Sequence, residues 1–135
     1  MDNALKMLGL ARRGGNVAMG EEAVAEACGA GKAAVVFLAS DAGETSANRG
    51  RRMADRAGVP CEVIPRTKGE LGFALGRAVC ALAAVTDRGL ARAVLEKLGA
   101  EDERFLPLAA QMADRKERRS TLTKTSRAGN KPADR

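Results

Sequence analysis

Ala33-Ala34-Val35-Val36-Phe37-Leu38-Ala39 is an unbroken apolar run, closed by the turn-forming Ser40-Asp41-Ala42-Gly43. No alternate position in it is polar, so it reads as a strand covered on both faces. Such a strand needs helices on either side of its sheet. Ala81 to Val85 has the same character and predicts a second buried strand.

Toward the N-terminus, Asn3 is expected to cap a first helix that turns Leu5 and Leu8 inward and breaks at Gly14-Gly15. Asn16 to Met19 has room only for a short strand. Gly20 then opens an alanine-rich helix from Glu21 to about Ala30, with Glu21 and Glu22 in its favourable first turn. Beyond Gly43 a helix over 44–57 stops at Gly58, and Cys61 to Ile64 is a short strand ended by Pro65. Thr67-Lys68-Gly69-Glu70 fits a capping box, with Leu71 and Leu75 following at helical spacing. Asp87 caps a last helix through Leu98, stopped by Gly99. Four strands alternate with five helices over residues 1–98, which predicts an α/β layered fold. Glu101 to Met112, with Phe105 and Leu106, is a further short segment that either docks or stays loose.

The whole chain has 135 residues and a formal net charge of +6. Residues 1–98 hold 14 Lys/Arg against 11 Asp/Glu, while 99–135 hold nine against six, so each part carries +3 and the shorter is the more densely basic. We therefore expect a basic extension over 99–135, partly or wholly disordered, with a mobile arm from Arg115 to Lys131. Such an arm is either a solubilising tail or an electrostatic attachment to a polyanion such as RNA.

The absences are equally informative. Histidine is missing, so imidazole catalysis and His-containing metal sites are excluded. With no Trp, no Tyr and three Phe, the composition argues against a reader of single strands built on aromatic platforms. Cys28, Cys61 and Cys80 each sit among apolar neighbours and read as buried free thiols in a reducing compartment. The longest apolar run, Ala78 to Val85, is far short of the ~20 residues of a membrane helix. The expectation is a cytoplasmic protein without membrane contact, metal or cofactor.

Several local patterns imitate functional motifs. Gly29-Ala30-Gly31-Lys32 resembles a phosphate loop, but position 26 is Glu, position 33 is Ala, and the segment runs from helix to strand. Glu21, Glu22 and Glu26 read as a solvated helix face. Nothing combines a nucleophile, a base and oxyanion donors, so no enzyme is expected. Arg12 and Arg13 end the first helix, where they either favour its dipole or contact RNA phosphates. Arg49, Arg51, Arg52 and Arg56 crowd one helix and read first as a solvated face.

Gly9-Leu10-Ala11-Arg12-Arg13-Gly14-Gly15, Gly20-Glu21-Glu22, Gly31-Lys32-Ala33, Leu38-Ala39-Ser40-Asp41-Ala42, Glu70-Leu71-Gly72, Gly76 and Ala84-Val85-Thr86-Asp87-Arg88-Gly89 occur in an order that resembles the bacterial branch of the ribosomal L7Ae/L30e family. The resemblance spans about residues 3–98. It implies an L30e-like three-layer α/β/α sandwich around a small four-stranded mixed sheet, and RNA binding without catalysis. Archaeal and eukaryotic relatives recognise kink-turns, sharply bent internal loops with tandem G·A pairs. They read those pairs with a Gly followed by Asn-Glu and, one turn later, a Lys. The matching positions here are Gly20, Glu22, Ala23 and Glu26, so only the glycine is kept. The family's second contact, a loop after the fourth helix, maps to Gly76-Arg77-Ala78-Val79, where Val79 could pack on a flipped nucleotide and Arg77 could bind phosphate.

The resemblance places candidate RNA contacts at Arg12, Arg13, Gly20, Glu21, Glu22, Lys32, Arg77, Ala78 and Val79. Its expected partner is ribosomal or other structured RNA, with the ribosome or translation or transcription proteins alongside. The competing reading is a protein-interaction adaptor with only nonspecific RNA contacts. Some bacterial relatives carry this domain behind another small RNA-associated domain, so the chain could be a piece of a longer protein.

Overall fold

In the computed structural model, residues 2–112 are described; the basic arm expected over 115–131 lies outside them. The order is α1 (Asn3–Arg13), β1 (Val17–Met19), α2 (Glu21–Gly29), β2 (Val35–Leu38), α3 (Glu44–Ala57), β3 (Cys61–Val63), α4 (Lys68–Leu75), β4 (Leu82–Val85) and α5 (Arg88–Gly99), followed by a 3-10 turn, Glu103–Phe105. The four strands form one sheet in the order β1-β4-β2-β3. β4 runs antiparallel to both neighbours and β2 parallel to β3, so the sheet is mixed.

Strand periodicity sorts the core into two halves. Val35, Phe37, Ala83 and Val85 face α1, α4 and α5. Val36, Leu38, Leu82 and Ala84 face α2 and α3. The result is the three-layer sandwich. β2 and β4 are buried at every position, as their unbroken apolar runs require. Both are one to three residues shorter than those runs, because Ala33, Ala34 and Ala39 are buried flanks outside the ladder.

α3 meets the sheet through small residues. Gly50 and Ala54 are its buried positions, and a Cβ on Gly50 would come within 2.8 Å of Leu38 Cδ2. That close approach explains how a helix so rich in arginine can cover a core at all.

One expectation needs correction. Asp2, not Asn3, caps α1: Asp2 is extended and its Oδ1 accepts the Leu5 N–H at 3.0 Å, while Asn3 is already helical. The N-cap of α3 is Gly43, and Asp41 lies in the turn before it, where its Oδ1 accepts the Lys68 N–H at 2.7 Å and ties the β2–α3 turn to the start of α4. The capping box of Thr67 and Glu70 and the cap at Asp87 are as expected.

The packed unit continues past Leu98. Phe105 is fully buried, Ala109 and Met112 join the α1/α4/α5 side of the core, and Leu106 lies against Gly99. Residues 106–112 are helical. Apolar surface on α5 is thus covered by the segment that directly follows it, and the extension beyond residue 98 begins as part of the fold.

Arg66 locks this arrangement. Its side chain is buried; Nε donates to Asp2 Oδ2 at 2.9 Å, one terminal nitrogen to Glu101 Oε1 at 2.9 Å, and the other pairs with Glu101 Oε2. It joins the start of α1, the β3–α4 connection and the end of α5. No helix among the described residues is long and apolar enough to cross a membrane.

Candidate nucleic-acid interface

The loop between α4 and β4 is built on glycine. α4 ends at Gly76 in the left-handed region (φ 77°), which a side chain would strain. The chain then folds back over Gly72. A Cβ there would lie 2.8 Å from both Arg77 O and Val79 Cα, so only glycine admits this return. The Arg77 N–H donates to Gly72 O at 2.7 Å, and the Cys80 N–H to Lys68 O at 3.0 Å. A short loop so held presents its side chains from a fixed frame. Ala78 and Val79 point outward, Val79 at 61% exposure.

β1 delivers Gly20 to the same end of the sheet. Its N–H donates to Leu82 O at 3.1 Å, and its φ of 89° sets the sharp turn into α2. No side chain caps α2. The Arg77 guanidinium reaches across: one terminal nitrogen lies 3.4 Å from where a Gly20 Cβ would be. From α1, the Arg12 guanidinium lies over Gly76, 3.1–3.4 Å from the corresponding Cβ position. Each of these bare glycine backbones therefore has one guanidinium beside it, Arg77 at Gly20 and Arg12 at Gly76, and the loop that carries Gly76 and Arg77 exposes Val79. Neither guanidinium forms an ion pair with any described residue. Beneath them, burial pushes the Cys80 thiol up, and the nearby Arg77 charge pulls it only partly back.

The remaining sequence candidates divide. Arg13 does not accompany Arg12: it runs back along α1 past Gly9, into a groove with Lys6, Met7, Leu10, Ala74 and Lys97. Glu21 turns away to α3, accepting from Ser46 Oγ at 2.8 Å and from Arg49 at 2.6 Å. Those bonds, Arg49 first and Ser46 next, hold its carboxyl below the usual range. Glu22 follows it to the groove between α2 and α3. Lys32 shares a shallow depression beside β1 with Ala23, Glu26 and Thr86.

The resemblance places Gly76 in the second-contact loop, but its left-handed geometry was not read from the sequence. The signal was present, because a glycine just after the Leu71/Leu75 periodicity marks a left-handed C-cap. Phe73, on the outer face of α4, was also missed and is 73% exposed, whereas Phe37 and Phe105 are fully buried. Arg49 was read as solvated and is paired with Glu21. Of the three thiols, Cys28 and Cys80 are buried and Cys61 is half-buried; all are free. Burial pushes Cys61 up to about 11, so none is a ready nucleophile.

The sequence profile of the ribosomal protein L7Ae/L30e/S12e/Gadd45 family matches residues 2–94. No curated protein sequence matches the chain. Among solved structures, a protein of unknown function from Bacillus halodurans is similar at 28% identity and a TM-score of 0.66, covering 73% of this chain and 98% of that one. A Giardia lamblia 15.5kD RNA-binding protein shares the fold at 21% identity and a TM-score of 0.58, covering 75% of this chain and 85% of that one.

Proposed function

Because the chain belongs to the ribosomal protein L7Ae/L30e/S12e/Gadd45 family, we propose that it is a non-enzymatic binder of structured RNA, seated on the Gly20 turn and the Gly76–Val79 loop. The observation that carries this reading is the placement of Arg77 beside Gly20 and of Arg12 beside Gly76. Two guanidinium groups without carboxylate partners among the described residues favour phosphate oxygens, and a glycine surface lets a sugar–phosphate backbone approach closely. Val79 supplies the apolar contact for an unstacked base. RNA of irregular shape suits such a surface better than a plain duplex, whose base edges are poorly accessible.

Bent internal loops of the kink-turn kind are the favoured class, with a different set of groups reading them. Glu22 faces the α2–α3 groove, Ala23 offers no hydrogen bond, and Glu26 brings a carboxylate where relatives carry a lysine. Lys32, in the same depression as Glu26, is the cation at hand there. Ribosomal RNA or another cellular RNA, with translation or transcription proteins alongside, is the partner this reading supports.

The test is a titration of the full chain against a kink-turn, a plain duplex and a single strand, repeated across salt. The reading expects the kink-turn to bind tightest at every salt concentration. Equal affinity for all three would favour a second reading, a protein-docking adaptor. A specific feature supports that alternative: the groove of about 580 Å³ beside α1, where Met7, Leu10 and Ala74 are rimmed by Lys6, Arg13 and Lys97.

A further inference from the structure

We propose that the groove between α2 and α3 receives a single-stranded segment of the bound RNA, with a phosphate held by Arg52 and Arg56 and a base laid on Ala25 and Met53. The proposal rests on the RNA-binding reading above and assigns a second contact surface to it. The groove measures about 450 Å³, and its wall is largely apolar. It continues past Arg56 into a smaller depression reaching Cys28 and Gly29.

Four arginines share α3, and the structure separates their roles. Arg49 is occupied by Glu21. Arg51 lies toward β3, where its charge acts on the Cys61 thiol. Arg52 and Arg56 line the groove, are exposed, and form no ion pair with any described residue. They are one helical turn apart, about 6 Å along the axis, which suits two guanidinium groups bracketing one phosphate or meeting successive ones. Glu22 is the carboxylate left in the groove once Arg49 has taken Glu21, and it stands at the end nearest Gly20.

The occupant follows from this mixture. A folded duplex offers phosphates but buries its base faces, so it would leave Ala25 and Met53 uncovered. An unpaired nucleotide offers both, because its base can lie on an apolar floor or against a guanidinium plane. Position supports the same choice. The groove opens beside Glu21 and Glu22, the residues following Gly20, so a strand leaving the Arg12/Arg77 surface meets it next.

The test compares a blunt-ended kink-turn RNA with the same RNA carrying a short single-stranded tail, and the tail oligonucleotide alone. The proteins are the full chain, Arg52→Gln with Arg56→Gln, and the charge-matched control Arg92→Gln with Lys97→Gln on α5, in the opposite layer. The tail is expected to tighten binding on the order of tenfold, the worth of about one charge-assisted hydrogen bond to a phosphate. The α3 variant should lose that gain while binding the blunt RNA within about twofold of the parent, a change worth only ~0.4 kcal/mol. The control should keep the gain. A tail that adds nothing, or a gain lost equally in both variants, would overturn the proposal. If the parent fails to bind the blunt RNA, the RNA face is wrong and the oligonucleotide alone decides: binding abolished in the α3 variant upholds the groove, and no binding refutes it.

Discussion

The guanidinium of Arg12 lies against the α-carbon of Gly76, so that a methyl group built there would come 3.1 Å from one terminal nitrogen and 3.2 Å from the central carbon. Gly58 offers a matched comparison. It too ends a helix in the left-handed region (φ 71°), but open space surrounds its Cβ position. Gly76→Ala and Gly58→Ala should each lose about 1 kcal/mol of stability to backbone strain. Only Gly76→Ala should weaken RNA binding, because only it displaces a cation from the interface. Denaturant melts paired with RNA titrations check this, and equal binding losses would break the link between Arg12 and RNA.

Gly72→Ala should be more damaging than either. Its added carbon meets backbone atoms at 2.8 Å, which cannot swing aside as a side chain can. We expect at least ~2 kcal/mol of destabilisation, toward the upper range for overpacking, and a displaced Arg77. A melt near that of the parent would mean the loop has freedom that its contacts do not suggest.

Phe105→Ala should cost ~3–5 kcal/mol, the usual loss for a fully buried aromatic. Ending the chain after Leu98 should likewise lower the melting temperature strongly, since it removes Phe105, Ala109 and Met112 from the core. Ending it after Ala113 should leave the melt unchanged. If the basic arm holds RNA, that shorter chain should also show a smaller salt slope, by ~0.9 per lost duplex phosphate contact.

The Asp2–Arg66 pair predicts a pH signature. Burial raises the Asp2 carboxyl, but the Arg66 hydrogen bond and charge and the Leu5 N–H bring it net below its ordinary 3.8. A carboxyl depressed on folding adds stability above 3.8 that is lost as pH falls through its lower folded value. Asp2→Asn can still cap α1 but cannot neutralise Arg66. It should be less stable than the parent at neutral pH, with the gap closing below pH 3.8. Because Asp2 is 41% exposed, solvent screening keeps the gap to a few tenths of a kcal/mol. A gap that persists undiminished in acid would point to packing instead of charge.

The layered fold was legible because its signals are local. Two apolar runs, a capping box and glycine stops fixed the alternation of strands and helices. The terminal cap on α1 was misread because Asp2 and Asn3 are both competent caps; the choice depends on Arg66, 64 residues away, which holds the Asp2 side chain in place. Docking of Phe105 was left open because no local signal marks which surface takes it; its turn packs back on α5, and Arg104 lies over its ring at 4.1 Å. In the interface, a basic pair in sequence became two separate features. Arg12 and Arg13 are adjacent, yet a helix step of ~100° sends one over the loop and the other along the groove. Glu21 was drawn off to Arg49 by packing between α2 and α3, which periodicity alone cannot register.

The most direct measurement of the central claim is the affinity for a kink-turn RNA, across salt, of the parent and of Arg12→Gln with Arg77→Gln. Arg92→Gln with Lys97→Gln serves as the charge-matched control. Neither Arg12 nor Arg77 has an ion-pair partner among the described residues and both are exposed, so the fold should survive. The account predicts an affinity loss on the order of tenfold or more at moderate salt, and a salt slope shallower by about 1.8 if each arginine holds one phosphate. The control should change little. An interface pair that binds as tightly as the parent, or loses no more than the control, would contradict the assignment of RNA to this face.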